Sequence, residues 1–172
     1  MDAEVEREFN EFVARSSHRL AQFATLLVND RHTAEDLVQT ALVKAYLSWP
    51  RARNSPVAYA RRIMLNQRTD WWRRLRGREQ VTAEPPDAPA FGDLADAQAS
   101  QDAVLQALRG LTKRERAVVV LRYFEDLPEA EIAVELEIAV GTVKSTLFRA
   151  LGKLRVSPDL VPAGVTEMEI AG

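Results

Sequence analysis

Apolar residues recur every three or four positions along this chain, and no run alternates them with polar residues as a half-buried strand would. The pattern predicts an all-α protein. Phe9, Val13, Leu20, Phe23, Ala24 and Leu27 make one stripe of a first helix. Thr33, followed three residues later by Asp36, reads as the N-cap of a second helix over about 34–49. At about 100° per residue, Leu37, Val38, Ala41, Ala45 and Trp49 fall on one side of it, while Val43, Tyr46 and Leu47 share the other with Asp36, Gln39 and Thr40. A helix apolar on two faces is either central in its bundle or docked on another protein. In the third helix, about 57–75, Val57, Ala60, Met64, Leu65, Trp71, Trp72 and Leu75 lie in one broad arc. Arg62, Asn66, Thr69, Asp70 and Arg73 lie opposite, an arc of donors suited to phosphates and base edges.

The C-terminal half holds the most specific pattern. Thr112 with Glu115 is a full capping box for one helix. The stretch LPEAEIAVELEIAVGTVKSTLFRALGKLR (127–155) then begins a short helix with Pro128 in its first turn and with Glu129 and Glu131 where the helix dipole favours acids. Ile132, Ala133 and Leu136 form its inner face, and a tight connection at 137–140 follows. The next helix sets Val143, Leu147, Ala150, Leu151 and Leu154 inward and Thr142, Lys144, Ser145, Phe148, Arg149 and Lys153 outward. A short helix, a turn and a longer polar-faced helix make a helix-turn-helix, whose second helix enters the major groove.

Between the halves, VTAEPPDAPAFGDLADAQAS (81–100) carries three Pro, one Gly and only acidic charge, the makeup of a flexible linker. The expected organisation is two small helical domains, 1–78 and 104–156, joined by an acidic linker at 79–103 and followed by an acidic tail at 157–172. The net charge of -2 conceals a strong segregation, because residues 51–80 hold nine Arg against two acids while 81–104 hold five acids and no base. Arg51, Arg53, Arg61, Arg62, Arg68, Arg73, Arg74, Arg76 and Arg78, interleaved with Tyr59, Trp71 and Trp72, suit a surface that neutralises phosphates and stacks bases.

Composition narrows the chemistry. With no Cys there is neither a disulfide framework nor a thiolate site, and the two His, His18 and His32, are not spaced as metal ligands. No catalytic residue, metal or cofactor is assigned. The acidic start MDAEVEREFN lacks the basic end of a signal peptide, and no apolar run approaches the ~18 residues of a membrane span. A cytoplasmic protein with no membrane insertion is expected.

Three stretches, AEDLVQTALVKAY (34–46), PVAYARRIMLNQRTDWWRR (56–74) and LTKRERAVVVLRYFEDLPEAEIAVELEIAVGTVKSTLFRALGKLR (111–155), resemble regions 2 and 4 of the extracytoplasmic-function (ECF) sigma factors of bacterial RNA polymerase. The resemblance spans nearly the whole chain outside the linker and tail. It implies that Asp36, Gln39, Val43 and Tyr46 dock on the β′ clamp helices of the polymerase core. It implies also that Arg61, Arg62, Asn66, Asp70, Trp71, Arg73 and Arg74 capture and open the −10 element. Region 4, held by the β flap, would read the −35 element through Thr142, Lys144, Ser145, Phe148, Arg149 and Lys153, with the linker near the RNA exit path. An anti-sigma factor is left open as a further partner. Two positions depart from the family pattern: Pro128 replaces the usual Ser, and Glu137 stands where Gly is usual, a poor residue for a turn that needs positive φ.

The function expected is therefore a non-enzymatic promoter-specificity subunit. The rival is a free-standing helix-turn-helix regulator that binds operator DNA without polymerase. The two-faced 34–49 helix and the separate basic block argue against the rival, which needs neither. A nucleic-acid enzyme would need a carboxylate cluster for metals, and the acids here are dispersed or helix-capping.

Overall fold

The structure, a computed structural model, describes residues 2–75 and 97–160, with side chains for 2–67 and 101–160. The elements run α1 (Ala3–Val28), α2 (Arg31–Leu47), α3 (Trp49–Ala52), α4 (Pro56–Leu75), α5 (Ala97–Arg109), α6 (Lys113–Val119), a π-helical turn (Val120–Phe124), α7 (Glu129–Leu136) and α8 (Val140–Arg155). Every regular element among the described residues is helical, as the periodicity predicts. The chain divides into two compact units, Met1–Ala24 with Arg31–Leu94 and Thr25–Asp30 with Ala95–Gly172. Helix α5 starts at Ala97, inside the stretch expected as linker, because after Pro89 the sequence turns to the helix formers Ala and Gln. Residues 76–96, which hold Arg76, Arg78 and most of the expected linker at 79–103, and the tail beyond 160 lie outside the described residues.

In the first unit, α2 lies along α4, and the fully buried Ala41, Ala45 and Ala60 supply the small side chains a close helix pair needs. Helix α2 begins at Arg31, so Thr33 sits in its first turn and is not the cap. It ends at Leu47, two residues short of the expected boundary. Pro50 has no N–H to continue the ladder, and the chain restarts as α3 with that Pro in the first turn. Helix α1 is fastened to this pair by aromatic rings: Phe9 lies 4.9 Å from Tyr46 and 5.3 Å from Trp49, and Phe12 lies 5.7 Å from Trp49. Each such pair contributes about 0.5–1.5 kcal/mol beyond its burial. The Glu8 carboxylate completes the clamp, accepting from Trp49 Nε1 at 3.0 Å and from Arg53 Nη2 at 2.9 Å. Phe12, absent from the expected stripe, is buried, whereas Phe9 and Val13 are only partly so.

In the second unit, α8 packs against both α6 and α7. Val118, Leu121, Ile132, Val143 and Ala150 are all at 0 % exposure, so the inward positions read from the sequence at Ile132, Val143 and Ala150 lie in the core. The capping box forms as expected: Thr112 Oγ1 accepts from the Glu115 N–H at 3.2 Å, and the Glu115 carboxylate accepts from the Thr112 N–H at 2.9 Å. Arg116, also buried, donates from Nε to the Leu108 carbonyl at 3.0 Å and so ties the end of α5 to α6. Burial first, and then the nearby Arg109, lowers its pKa from the ordinary guanidinium value.

Helix α7 starts after Pro128, not with it, and ends in the positive φ for which Glu137 is poorly suited. Pro128 is the residue before the helix, extended at φ -67 and ψ 153, and its carbonyl accepts from Glu131 N at 3.0 Å and Ile132 N at 3.1 Å. Having no side-chain donor or acceptor, it cannot cap as Ser would. At the other end Glu137 adopts the left-handed conformation, φ 55 and ψ 44, and Ile138 N closes a bond to the Ala133 carbonyl at 3.0 Å. Asn29 and Asp126 share this φ of 55, but Asn and Asp tolerate it and Glu does not. Glu137→Gly should therefore stabilise the folded chain. Relief of about 1–2 kcal/mol of backbone strain is offset by about 0.4–1 kcal/mol of added unfolded-state entropy. The expected net gain, between about 0 and about 1.6 kcal/mol, would be read as a rise in the thermal midpoint of the full chain; a fall would show that the Glu137 side chain makes a contact worth more than the strain.

Candidate nucleic-acid interface

Three surfaces emerge from these helices. On α2, Asp36, Gln39 and Thr40 are exposed, and beyond them Val43 and Leu47 stand 57 % and 73 % exposed. Their spacing of three, four and seven residues makes one continuous stripe. Tyr46 does not belong to it in the same way, since its ring is half-buried against Phe9. Leu47 is the more exposed apolar member of this face.

On α4, Arg62 and Asn66 are exposed as expected, but Arg61 is buried at 7 % exposure and is not a surface donor. It follows the buried Ala60 and lies about 100° round from Arg62, which the run of basic residues alone does not separate. Arg53 is engaged by Glu8. Asp70, Trp71, Arg73 and Arg74 lie on the helical backbone of α4, with side chains outside the described residues.

On α8, Ser145, Phe148 and Arg149 face outward, with Phe148 79 % exposed. An aromatic ring this exposed has no packing role within its own unit. The Ser145 hydroxyl donates to the Thr142 carbonyl at 3.1 Å, and Thr142 itself is half-buried. Lys144 Nζ is exposed and stands 4.0 Å from a Glu129 carboxylate oxygen on α7. Lys153, with its side chain 48 % exposed, donates from Nζ to Glu115 Oε2 at 2.8 Å, so its ammonium is engaged on α6. Lys153 follows Thr146 by seven residues, a turn of about 20°, and Thr146 is at 0 % exposure.

Burial alone would push the Glu115 carboxyl up, but the hydrogen bond and charge of Lys153 and the bonds to Thr112 outweigh it and hold the pKa below the ordinary carboxylate value. A lowered acid contributes stability above its unfolded pKa and loses it as pH falls through the folded value. Wild type should therefore exceed Glu115→Gln in stability by roughly 1–3 kcal/mol at neutral pH, with the gap closing as pH drops below the ordinary carboxylate range. Thermal midpoints of both proteins across an acid series test this, and a gap independent of pH would refute it.

Comparison with known proteins places both units in one family. The family model "Sigma-70 region 2" matches residues 12–78, and "Sigma-70, region 4" matches residues 101–154. The RNA polymerase sigma-E factor of Streptomyces coelicolor is 39% identical over 150 residues, covering 86% of this chain and 84% of that one. The ECF RNA polymerase sigma factor SigL of Mycobacterium tuberculosis is 32% identical over 154 residues, covering 86% and 85%. This chain belongs to the ECF sigma factors of the sigma-70 family. The sigma factor shares its fold with RpoE of Bartonella quintana, solved in complex with the anti-sigma factor NepR, at a TM-score of 0.64 and 24% identity over 87% of this chain and 95% of that one. CnrH, solved in complex with the cytosolic domain of CnrY, aligns at a TM-score of 0.60 and 26% identity over 87% and 86%. As a sigma factor it works with RNA polymerase core and promoter DNA in promoter-specific initiation, and its family consists of non-enzymatic initiation factors. The region 2 match does not favour the free-standing regulator, which has no use for such a domain. Among the described residues no group of three or more His, Cys, Asp or Glu could hold a metal ion, and no helix is long and apolar enough to cross a membrane.

Proposed function

We propose that the three surfaces divide the work of initiation among themselves. The Asp36, Gln39, Val43 and Leu47 stripe of α2 docks on the β′ clamp helices. Arg62 and Asn66, continued by Asp70, Trp71, Arg73 and Arg74 along α4, engage and open the −10 element. The outward face of α8, with Lys144, Ser145, Phe148 and Arg149, reads the −35 element while its domain, expected near 104–156, rests on the β flap. The domain expected near 1–78 carries the other two surfaces. The protein performs no chemistry of its own; it acts in the cytoplasm, on the nucleoid when bound to polymerase. An anti-sigma protein, the partner named for the Bartonella relative, is the third partner to test by co-purification.

The observation that supports this reading best is Phe148, an aromatic side chain 79 % exposed among Ser145 and Arg149 on a helix-turn-helix. An exposed ring at that place has a use only when something covers it. Reconstitution with core polymerase on a promoter library, read as transcript start sites, tests it. Start sites should share one upstream and one downstream element at fixed spacing. Start sites scattered as for core alone would overturn the reading.

A further inference from the structure

We propose that Glu115 is a positioning residue for the DNA-reading helix, acting through Lys153, and that Lys153 is a tether and not a phosphate contact. This rests on the reading of α8 as the −35 reader. The Glu115 carboxylate is 4 % exposed and sits in the first turn of α6, and its Oε2 accepts both the Thr112 N–H at 2.9 Å and Lys153 Nζ at 2.8 Å. The capping box thus holds the carboxylate still, and the carboxylate holds the last turn of α8. At the other end of α8, Lys144 Nζ stands 4.0 Å from Glu129 of α7.

The interdigitated burial of Val143, Leu147 and Ala150 against α6 and α7 sets the coarse rotation of α8. Aliphatic packing of such an arc supplies no hydrogen bond to fix it further. Thr146 is fully buried in that arc, yet its hydroxyl has no hydrogen-bond partner among the described residues, so it adds no directional contact either. A charge-assisted bond at 2.8 Å does set direction. Rotating α8 by about 20° would sweep an outward side-chain tip through roughly 2 Å at the helix rim. That displacement exceeds the tolerance of a hydrogen bond to a base edge. The Glu115–Lys153 pair therefore acts on base readout by Ser145, Phe148 and Arg149 without touching DNA.

The test uses the full chain with core polymerase and promoter fragments randomised across −35. The variants are Lys153→Met, Lys153→Arg, Glu115→Gln and Glu115→Gln with Lys153→Met. Glu115→Gln keeps an acceptor for the Thr112 N–H and removes only the charge. Lys153→Met and Glu115→Gln should each lose roughly 2- to 30-fold in base preference, spread over several adjacent positions. The double variant should be no worse than either single, and Lys153→Arg should restore the preference. The slope of log affinity against log salt should stay at its wild-type value in Lys153→Met. A slope smaller by about one with base preference intact would make Lys153 a phosphate contact and overturn the proposal. Variants that melt earlier but keep wild-type preference at every position would overturn it too, leaving the pair a plain stabilising contact. A wild-type complex with no −35 preference at all would sink the reading of α8 itself, an outcome distinct from both.

Discussion

Replacing Val43 and Leu47 together by Asp should weaken binding to core polymerase by roughly 100-fold or more while the chain stays folded. Both side chains are more than half exposed, so the substitutions bury no charge within the protein. At an interface the same carboxylates would be desolvated without partners, and a few central apolar anchors commonly carry about 2 kcal/mol or more each. Gln39→Ala at the edge of the stripe should cost less. Tyr46→Ala is the control that behaves differently: it removes the ring packed at a tilt 4.9 Å from Phe9 and should lower the thermal midpoint together with core affinity. The decisive measurement is competition with wild type for core, with circular dichroism alongside. Wild-type affinity of a folded Val43→Asp, Leu47→Asp variant would remove α2 from the docking surface.

The second large effect is expected at α8. Arg149 is exposed beside Phe148 on the outward face, placed to pair with a guanine edge or with a phosphate. The two contacts separate experimentally. If Arg149 reads a base, Arg149→Ala costs about 1–3 kcal/mol at the cognate −35 element and flattens preference at one position. If it holds phosphate, affinity falls evenly across sequences and the salt slope shrinks by about one. Phe148 should rest on a thymine methyl, so Phe148→Ser should lose preference for one T·A pair with little change in salt dependence. With 79 % of the residue exposed, such a change leaves the core untouched and the readout clean. Selection from randomised −35 elements decides between these outcomes, and unchanged preferences in both variants would take these residues off the reading surface.

The helices, their order and the capping box at Thr112 and Glu115 were legible in the sequence, because 3.6-residue periodicity and cap chemistry are local properties of the chain. That Glu137 stands where the family usually has Gly was visible through the resemblance, but its left-handed conformation is known only from the structure. The end of α2 was misplaced because Pro50 acts on a hydrogen bond several residues upstream, which a face-by-face reading overlooks.

The sequence by itself determined which residues share a face of each helix, and on that basis it grouped Ser145, Phe148 and Arg149 outward and Val143, Leu147 and Ala150 inward, as the structure has them. Only the tertiary structure decided which face meets a neighbour and which long side chain finds a partner there. Arg53 belongs to Glu8, Lys153 to Glu115, Tyr46 to Phe9, and Arg61 to the interior, none of them residues that a charge count or a helical stripe sets apart from Arg62 or Arg149. Periodicity fixes the direction in which a side chain leaves its helix. Whether that direction ends in solvent, on a carboxylate from an element 38 residues away, or against a ring depends on how the helices cross, and no local rule contains that crossing.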